Sequence, residues 1–307
     1  MELQLIDTQR VHRGPTQRKR RQQIRHRRRQ RFGKRLLMIA VILLLFIGGT
    51  KMLSAIKPAV NALTGRMTGE VAAPQKLESS EVHRRLKELA GQSAQYEQIY
   101  ENADKYPENL LAALCNNPEM LEFVQGYLES DGKVTGGLRR SEKNSNGIPL
   151  LLQWDQRWGY AAYGDNNIGL SGCAPTCLSM VAVGLTGNEQ ATPNAIADYA
   201  MKEGYYVEGT GTAWSLMTDG CRKFGVVGTE LGLDKDTVLS KLKNKKPIIC
   251  SVRSGDFTTT GHFIVLTGVE DGKIKVNDPN SKKRSTKLWE YEKLEGQIRN
   301  LWVFDKK

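Results

Sequence analysis

The stretch SGCAPTCLSMVAVGLTG, residues 171–187, is the most informative part of the chain, because it combines a helix start with two thiols. A Pro fits the first turn of a helix, so Pro175 and the apolar run that follows it to Leu185 predict a helix. Cys173 then lies just before that helix, where unpaired N–H groups and the helix dipole favour a thiolate. Cys177 lies one turn further in among apolar residues, which is typical of a buried Cys. Cys173 is therefore the candidate nucleophile.

Residues 148–307, which contain this helix, have the pattern of one α+β domain, with helices first and antiparallel strands afterwards. A second helix is predicted near residues 195–202. The sequence VEDGK at 269–273 has Asp-Gly at its centre and predicts the turn of a β-hairpin. The short apolar strands are predicted at residues 247–252, 262–269, 273–279 and 297–304.

Histidine is scarce in this chain, which makes each one informative. Of the four, His12, His26 and His83 precede the α+β domain, and His262 lies within it at the start of a predicted strand. An imidazole at a strand start can face a cleft at the edge of the domain. Because a thiol needs a base to attack a carbonyl, His262 is the candidate base.

A catalytic imidazole also needs a group that fixes its orientation. Asp278 follows His262 on the far side of the predicted hairpin and is the candidate. Side chains alternate along a strand, so Asp278 and its neighbour Asn277 cannot both face the imidazole. The opposing interpretation is that Asp278 only forms a turn with the Pro and Asn after it. For an oxyanion, the candidate donors are the Cys173 N–H and the side chain of Gln153, which is equally typical of a partly exposed polar residue.

Four motifs together resemble the papain-like cysteine peptidases, in particular the stand-alone, exported relatives of the bacteriocin-processing peptidases that cleave after double-glycine leaders. The resemblance covers about residues 105–304. It implies a papain-like fold, in which the nucleophile helix packs on an antiparallel sheet, and a peptide or protein substrate cleaved without a cofactor. The motifs are QWDQRWGYAAYG at 153–164, GCAPTCLSMVAVGLTG at 172–187, GHFIVLTG at 261–268 and VNDPNS at 276–281.

The same resemblance assigns roles to four residues of this sequence. It implies that Cys173 is the nucleophile and that His262 is its base. It further implies that Asp278 orients the imidazole and that Gln153 donates to the oxyanion. One departure from the pattern is visible: relatives have Gly directly after the nucleophile, and this chain has Ala174. A methyl group there can restrict the backbone beside the oxyanion site.

Other interpretations of the same residues are open. The five cysteines are odd in number and lack a repeated C-x-x-C spacing, so neither a disulfide framework nor a common zinc motif is indicated. A zinc site is still an alternative, although Pro175 would disturb a regular turn between its two thiols. Its ligands would be Cys173, Cys177, His262 and Asp278.

The substrate and even catalysis itself are open on sequence grounds. The same triad serves enzymes that cut cell-wall peptides, and amidases. Ala174 mildly favours a catalytically inactive, membrane-tethered assembly or adaptor module. The Gly-rich segment 207–217 is either a loop that lines the cleft or a turn with a buried Trp214.

An apolar segment near the N-terminus predicts a membrane anchor. Residues 36–50, LLMIAVILLLFIGGT, carry no charge, and the apolar character extends to Ile56 if Lys51 snorkels towards the headgroups. A helix over 36–56 is about 31 Å long at 1.5 Å per residue, which is enough to cross a bilayer. A cleaved signal peptide is the alternative, but the region before the segment is long and no small-x-small site follows it at once.

The positive charge of the chain is concentrated in residues 1–35, a basic tail. Thirteen Lys and Arg against two acidic residues give this tail +11 of the net charge of +12. The positive-inside rule predicts a single-pass protein of the cell membrane with a cytoplasmic N-terminus and an extracellular catalytic domain. The tail can also bind membrane lipids, or nucleic acid or another cytoplasmic partner. For the catalytic domain, with little net charge, no nucleic-acid partner is predicted.

Three segments join the predicted anchor to the α+β domain. Residues 57–80 contain Pro and Gly in a polar setting and are typical of a stalk. Residues 81–129 have helical periodicity and predict a small helical lead-in, in which Asn117-Pro118-Glu119 supplies an N-cap, a first-turn Pro and an acidic first turn. Residues 130–147, rich in Gly, Ser and charge, are typical of a linker.

Overall fold

The computed structural model describes residues 72–307. The predicted basic tail (1–35), the predicted transmembrane helix (36–56) and the first part of the predicted stalk (57–71) lie outside the described residues. Within residues 72–307, no helix has both the length and the apolar character needed to cross a membrane.

The described chain contains α-helices, short 3₁₀ helices and β-strands in an order that starts with helices and ends with a sheet. The α-helices are α1 (Ser79–Ala90), α2 (Ala94–Glu101), α3 (Glu108–Asn116), α4 (Leu121–Gln125), α5 (Arg140–Lys143), α6 (Ile168–Ser171), α7 (Cys173–Thr186), α8 (Pro193–Lys202), α9 (Ser215–Thr218), α10 (Lys235–Lys243), α11 (Lys282–Thr286) and α12 (Tyr291–Glu295). The 3₁₀ helices are Ala103–Lys105, Pro118–Met120, Gly126–Glu129 and Gly220–Phe224. The strands are β1 (Ala162–Tyr163), β2 (Asn166–Asn167), β3 (Tyr206–Val207), β4 (Gly211–Thr212), β5 (Val226–Glu230), β6 (Ile248–Arg253), β7 (Gly261–Glu270), β8 (Lys273–Asn277), β9 (Leu288–Trp289) and β10 (Ile298–Lys306).

Helices α1 to α4 occupy the region predicted as a helical lead-in. Val82 and Leu86, one turn apart on α1, are both buried, as the periodicity predicts. The Asn117 side chain accepts a hydrogen bond from the N–H of Glu119 at 3.2 Å and so caps the next 3₁₀ turn. The core of this region includes Leu152 and Trp154 from the chain that follows, so the lead-in packs directly on the α+β domain.

The segment predicted as a linker, residues 130–147, also contacts the domain. Leu138 is buried in the core that surrounds α7. The Arg157 guanidinium donates to the carbonyl of Gly137 at 2.7 Å and to the carboxylate of Glu142 at 2.7 Å. The short helix α5 lies within this segment, and its contacts attach the segment to the surface of the domain.

A six-stranded antiparallel sheet with the order β5-β10-β6-β7-β8-β9 forms the centre of the α+β domain. Four of its strands, β6, β7, β8 and β10, coincide with predicted ones, and the α+β fold class is confirmed. The turn between β7 and β8 has positive φ at both Asp271 (50°) and Gly272 (76°), which suits the twist of a two-residue hairpin loop. The sequence pattern did not predict β5, β9 or α10.

Both faces of this sheet are covered, because successive strand residues point to opposite sides. Ile249 and Val265 pack with α7 and α8 in one core. Their neighbours Cys250 and Ile264 pack with α10 and α12 in a second core. The sheet is therefore a layer between helices, and the ends of its strands are where side chains can reach a cleft.

Helix α7 is buried on every side. Residues 174–183 are all buried, which matches an apolar pattern without a polar face. The helix ends at Gly187, whose φ of 69° places it in the left-handed region and whose N–H donates to the Val183 carbonyl. Cys173, predicted just before the helix, is its first residue. Because α7 packs on β7, its N-terminus is held beside the start of that strand.

Candidate active site

An open cleft of about 1340 Å³ runs along the boundary between the lead-in and the α+β domain. Three of the predicted site residues, Cys173, His262 and Gln153, line it. The opposite wall includes Asn109 and Asn116 from α3. The fourth predicted residue, Asp278, is fully buried and lies behind the imidazole. The structure thus brings all four predicted residues to one place.

Two regular elements carry the thiol and the imidazole. Cys173 is the first residue of α7 and is partly exposed, whereas His262 is the second residue of β7 and is only 7% exposed. The first N–H groups of a helix have no partner within it, so the Cys173 thiol lies at a positive helix end. The position of each side chain is fixed by an apolar element of the core.

The imidazole is bonded to a buried carboxylate. His262 Nε2 and Asp278 Oδ1 are 2.8 Å apart, which leaves Nδ1 as the ring nitrogen free to face Cys173. Asp278 Oδ1 also accepts a hydrogen bond from the N–H of Asn280 at 2.8 Å, and Oδ2 accepts one from Nε of Arg284. Both oxygens of the carboxylate are therefore engaged.

The neighbouring Asn277 points elsewhere. Its amide donates to the carbonyls of Ile148 and Pro149 at 3.2 and 3.1 Å, at the opening of the α+β domain. Asp278 does take part in a turn, because its carbonyl accepts the N–H of Ser281. The turn and the contact with the imidazole coexist, so the two interpretations of Asp278 are not exclusive.

Arg284 is the site residue that the sequence did not predict. It stands in the run KKR at 282–284, a pattern typical of a solvated charged surface, yet it is only 2% exposed. A buried guanidinium needs an ionic partner, and its partner is Asp278. No local pattern distinguishes this Arg from the two Lys before it, because the distinction depends on which face of α11 meets Asp278.

The charges of this cluster shift two pKa values in opposite directions. Burial acts to lower the pKa of His262, but the negative charge of Asp278, its hydrogen bond and the neighbouring Cys173 thiol outweigh burial and raise the pKa to about 9. Burial acts to raise the pKa of Asp278, whereas His262 and Arg284 hold it below the ordinary value of 3.8. At neutral pH the pair is an imidazolium beside a carboxylate.

Gln153 is buried rather than partly exposed, although it borders the cleft. One hydrogen of its Nε2 is donated to the carbonyl of Gly169 at 2.8 Å, and an amide nitrogen carries two hydrogens. Its backbone N–H donates to the carbonyl of Pro279 at 2.8 Å, directly after Asp278. The amide is thus fixed next to the site with one hydrogen still to donate.

The residues after Cys173 face away from the cleft. Ala174 is completely buried, and its methyl group belongs to the core around α7. Cys177 is also completely buried, and burial raises its pKa well above the ordinary value. Among residues 72–307, no group of three or more His, Cys, Asp or Glu side chains is arranged to hold a metal ion. The geometry gives no support to a zinc site made of Cys173 and Cys177.

The Gly-rich segment 207–217 lies at the cleft. It contains most of the small β3–β4 hairpin, and Trp214 lines the same cleft as Cys173. Trp214 is 42% exposed and meets the ring of Trp302 edge-on, with centroids 5.6 Å apart. The interpretation as a cleft-lining loop agrees with the structure, and the alternative of a buried Trp does not.

The fold and the position of the site, at the first turn of a buried helix and the start of the strand beside it, are those of a papain-like cysteine peptidase. The chain belongs to the Peptidase_C39 like family, whose model matches residues 145–305. This membership confirms the resemblance seen in the sequence. The matched residues cover the α+β domain, and α1 to α4 lie before them.

Two solved structures are similar to part of the chain. The peptidase domain of Streptococcus ComA, a bifunctional ABC transporter involved in a quorum sensing pathway, is 18% identical with a TM-score of 0.34, over 52% of this chain and 98% of that one. A C39-like peptidase from Bacillus anthracis is 14% identical with a TM-score of 0.34, over 54% of this chain and 96% of that one. No curated protein matches the chain.

Proposed function

We propose that the chain is a membrane-anchored, extracytoplasmic cysteine peptidase that cleaves peptide bonds of a peptide or protein substrate. Cys173 is the nucleophile, His262 its acid and base, and Asp278 the group that orients the imidazole. The observation that carries this proposal is the buried His262–Asp278 pair, with 2.8 Å between Nε2 and Oδ1, beside a thiol at a helix N-terminus in an open cleft.

The electrostatics of the cluster support a thiolate as the attacking group. A pKa of about 9 makes His262 an imidazolium at neutral pH, and a neighbouring cation favours the deprotonated form of a thiol. The positive N-terminal end of α7 acts in the same direction on Cys173. In the proposed mechanism Cys173 attacks as a thiolate while His262 carries the proton, and Asp278 maintains the orientation of the ring.

The reaction is acyl transfer in two halves. The Cys173 sulfur attacks the carbonyl carbon of the scissile bond, and the carbonyl oxygen becomes an oxyanion. The Cys173 N–H and the second Nε2 hydrogen of Gln153 donate to that oxyanion. As the C–N bond breaks, His262 gives its proton to the leaving amine, and a thioester remains. Water then attacks the thioester, and His262 takes a proton from that water. The carboxylic acid leaves as the C–S bond breaks, and the Cys173 sulfur departs as a thiolate beside the protonated His262.

The buried methyl of Ala174 supports an active site rather than an inert one. The Ala at this position was the feature that favoured an inactive adaptor module. Because its side chain packs in the core and not in the cleft, it leaves the space beside Cys173 open.

Alkylation of the full-length chain with iodoacetamide tests the proposal. Cys173 and Cys115 are the two thiols of intermediate exposure among residues 72–307, but burial raises the pKa of Cys115 to about 11. We expect rapid labelling near pH 7 that Cys173→Ala abolishes and that the matched variant Cys115→Ala leaves unchanged. Cleavage of a fluorogenic peptide library by the same three proteins should follow the same pattern. Labelling that is slow, or that survives Cys173→Ala, would contradict a catalytic thiolate.

The membrane position is part of the proposal and rests on the sequence of residues 1–56. The uncharged segment 36–50 and the +11 charge of residues 1–35 support a single-pass anchor with a cytoplasmic N-terminus. Protease added to intact cells should digest an epitope placed after Lys307 and spare one placed before Met1. The opposite pattern, or release of the whole chain from membranes by salt, would overturn this topology.

A further inference from the structure

The position of Asp278 depends on the short helix that follows it. Its Oδ2 accepts from Arg284, and its N–H donates to Oγ of Ser285 at 2.9 Å, and both partners belong to α11. The turn between Asp278 and α11 contains Asn280, whose N–H is bonded to Oδ1. The rotamer and the backbone of Asp278 are therefore set by where α11 begins.

Helix α11 has only five residues and Ser281 as its N-cap, and Glu119 of the lead-in accepts hydrogen bonds at the same end of the helix. Oε2 of Glu119 accepts the N–H of Lys282 at 2.9 Å, and Oε1 accepts the N–H of Lys283 at 3.2 Å. Oε1 also accepts the hydroxyl of Ser281 at 2.7 Å, and that hydroxyl accepts the N–H of Arg284 at 3.1 Å. A helix this short is not stable alone, and its free N–H groups are those that a carboxylate satisfies best.

A second contact holds the turn before α11. The Asn117 side-chain amide donates to the carbonyl of Asn280, which also accepts the indole N–H of Trp154 at 2.9 Å. Glu119 lies in the 3₁₀ turn Pro118–Met120 of the lead-in, and Asn117 is the N-cap of that turn. One turn of the lead-in thus contacts both the turn after Asp278 and the start of α11.

We propose that Glu119 is a positioning residue of the active site: by capping α11 it fixes Arg284 and Asp278, and through them the His262 imidazole. The lead-in is then part of the catalytic apparatus and not only a spacer before the peptidase domain. This inference rests on the proposed function for its kinetic consequences, and on the structure alone for its effect on His262.

The groups around the His262 imidazole determine how its pKa should change if α11 shifts. Asp278 from the segment after β8 and Cys173 from α7 are the titratable groups that face His262, and Arg284 shares the carboxylate with it. If α11 shifts, the bond between Asp278 and His262 lengthens or its angle worsens. The imidazolium then loses stabilisation, so the alkaline limit of activity moves to lower pH.

Replacing the Glu119 carboxylate by an amide tests the positioning role of Glu119 in the full-length chain. Glu119→Gln keeps the size of the side chain but sets an NH₂ group against backbone N–H donors. Kcat should fall about 10- to 100-fold with a much smaller change in KM, and the alkaline limit of kcat/KM should drop by about one pH unit. Glu122→Gln is the matched control, because Glu122 lies three residues on, is exposed and takes no part in the contact. It should leave both quantities unchanged.

The titration of the His262 ring, followed by NMR of a histidine-labelled full-length chain, separates this inference from the proposed function. The His262 signal is assigned by its loss in His262→Asn. In Glu119→Gln its midpoint should fall by about one unit, whether or not any peptide is cleaved. If that variant does not fold, Ser281→Ala approaches the same contact from the side of α11 and should shift the midpoint in the same direction. An unchanged midpoint in whichever variant folds would overturn the inference.

Discussion

The three groups of the proposed triad are held in two different ways. Cys173 and His262 lie on α7 and β7, elements whose side chains fill the apolar core. Asp278 lies after the end of β8, in a turn whose contacts are hydrogen bonds and an ion pair with side chains from the lead-in and from α11. One part of the site is fixed by packing and the other by polar contacts.

This difference determines how each part responds to change. Packing is not directional, and a small apolar change is absorbed by neighbours at a cost set by the cavity that it leaves. A buried polar network is directional, and removing one partner leaves another charge or donor unsatisfied. We therefore expect the Asp278 side to be the more sensitive to single substitutions and to pH.

The largest effect is expected where the two parts meet, at the imidazole. His262→Asn should lower kcat/KM by a factor of about 100 to 10,000, because it removes the group that transfers the proton. Steady-state cleavage of a fluorogenic peptide measures it. The control is His83→Asn, since His83 is exposed on α1 and should not matter. A residual activity within tenfold of the parent would show that another group acts as the base.

Arg284→Met should disrupt the polar contacts of Asp278 and leave the apolar core around α7 and β7 intact. The substitution leaves the buried carboxylate of Asp278 without one of its two cationic partners, so the free energy of unfolding should fall by about 3–5 kcal/mol. Urea denaturation measures it, with Arg222→Met, at an exposed position, expected to cost less than about 0.5 kcal/mol. Equal losses in the two variants would mean that the buried ion pair contributes no more than a surface charge.

The stability of the domain should depend on pH through His262. Its pKa rises from the ordinary 6.5 to about 9 on folding, so the stability it adds is complete below pH 6.5 and is lost as pH rises through 9. The loss should be about 3 kcal/mol across that window. The lowered pKa of Asp278 acts at the other end, and its stabilisation is lost as pH falls below 3.8. Urea titrations from pH 6 to 10 measure the first effect, and a flat profile there would contradict it.

The smallest effect is expected in the apolar core around α7. Cys177→Ala removes one sulfur from the fully buried face of α7, one turn from Cys173, and should cost about 1 kcal/mol with kcat/KM within a factor of two of the parent. Thermal unfolding and peptide cleavage measure the two quantities. A large loss of activity here would mean that the packed side is as sensitive as the polar one, and the contrast between them would disappear.

The same contrast explains what could be predicted from the sequence. Apolar runs and turn residues in the sequence predict the packed elements α7, β6, β7 and β8, because hydrophobic periodicity follows local burial. Those runs placed Cys173 at a helix start and His262 at a strand start. Asp278 could be chosen over Asn277 from the hairpin and the family resemblance, and the structure places it against the imidazole.

The polar contacts could not be predicted, because they join residues that are distant in the chain. Arg284 resembles its exposed neighbours until the fold sets it against Asp278. The local sequence predicts for Glu119 only a place in the acidic first turn of its own helix, a role defined within a few residues. Its contact with Lys282 spans 163 positions, and no local pattern encodes it. For the same reason the sequence leaves Gln153 equally open to being an oxyanion donor or a partly exposed polar residue, and its burial and its bond to the Gly169 carbonyl are seen only in the fold.

The position of Glu119 in the sequence determines which fragments of the protein keep the contacts of the active site. The family model begins at residue 145, whereas the contacts that hold α11 and the turn before it come from residues 117 and 119. A recombinant fragment that starts at residue 145 would lack those contacts and would uncover the apolar sides of Leu152 and Trp154. Because Val82 and Leu86 of α1 lie in the same apolar core as Leu152 and Trp154, a fragment designed to keep this core whole should extend back to α1, beyond the limits of the family match.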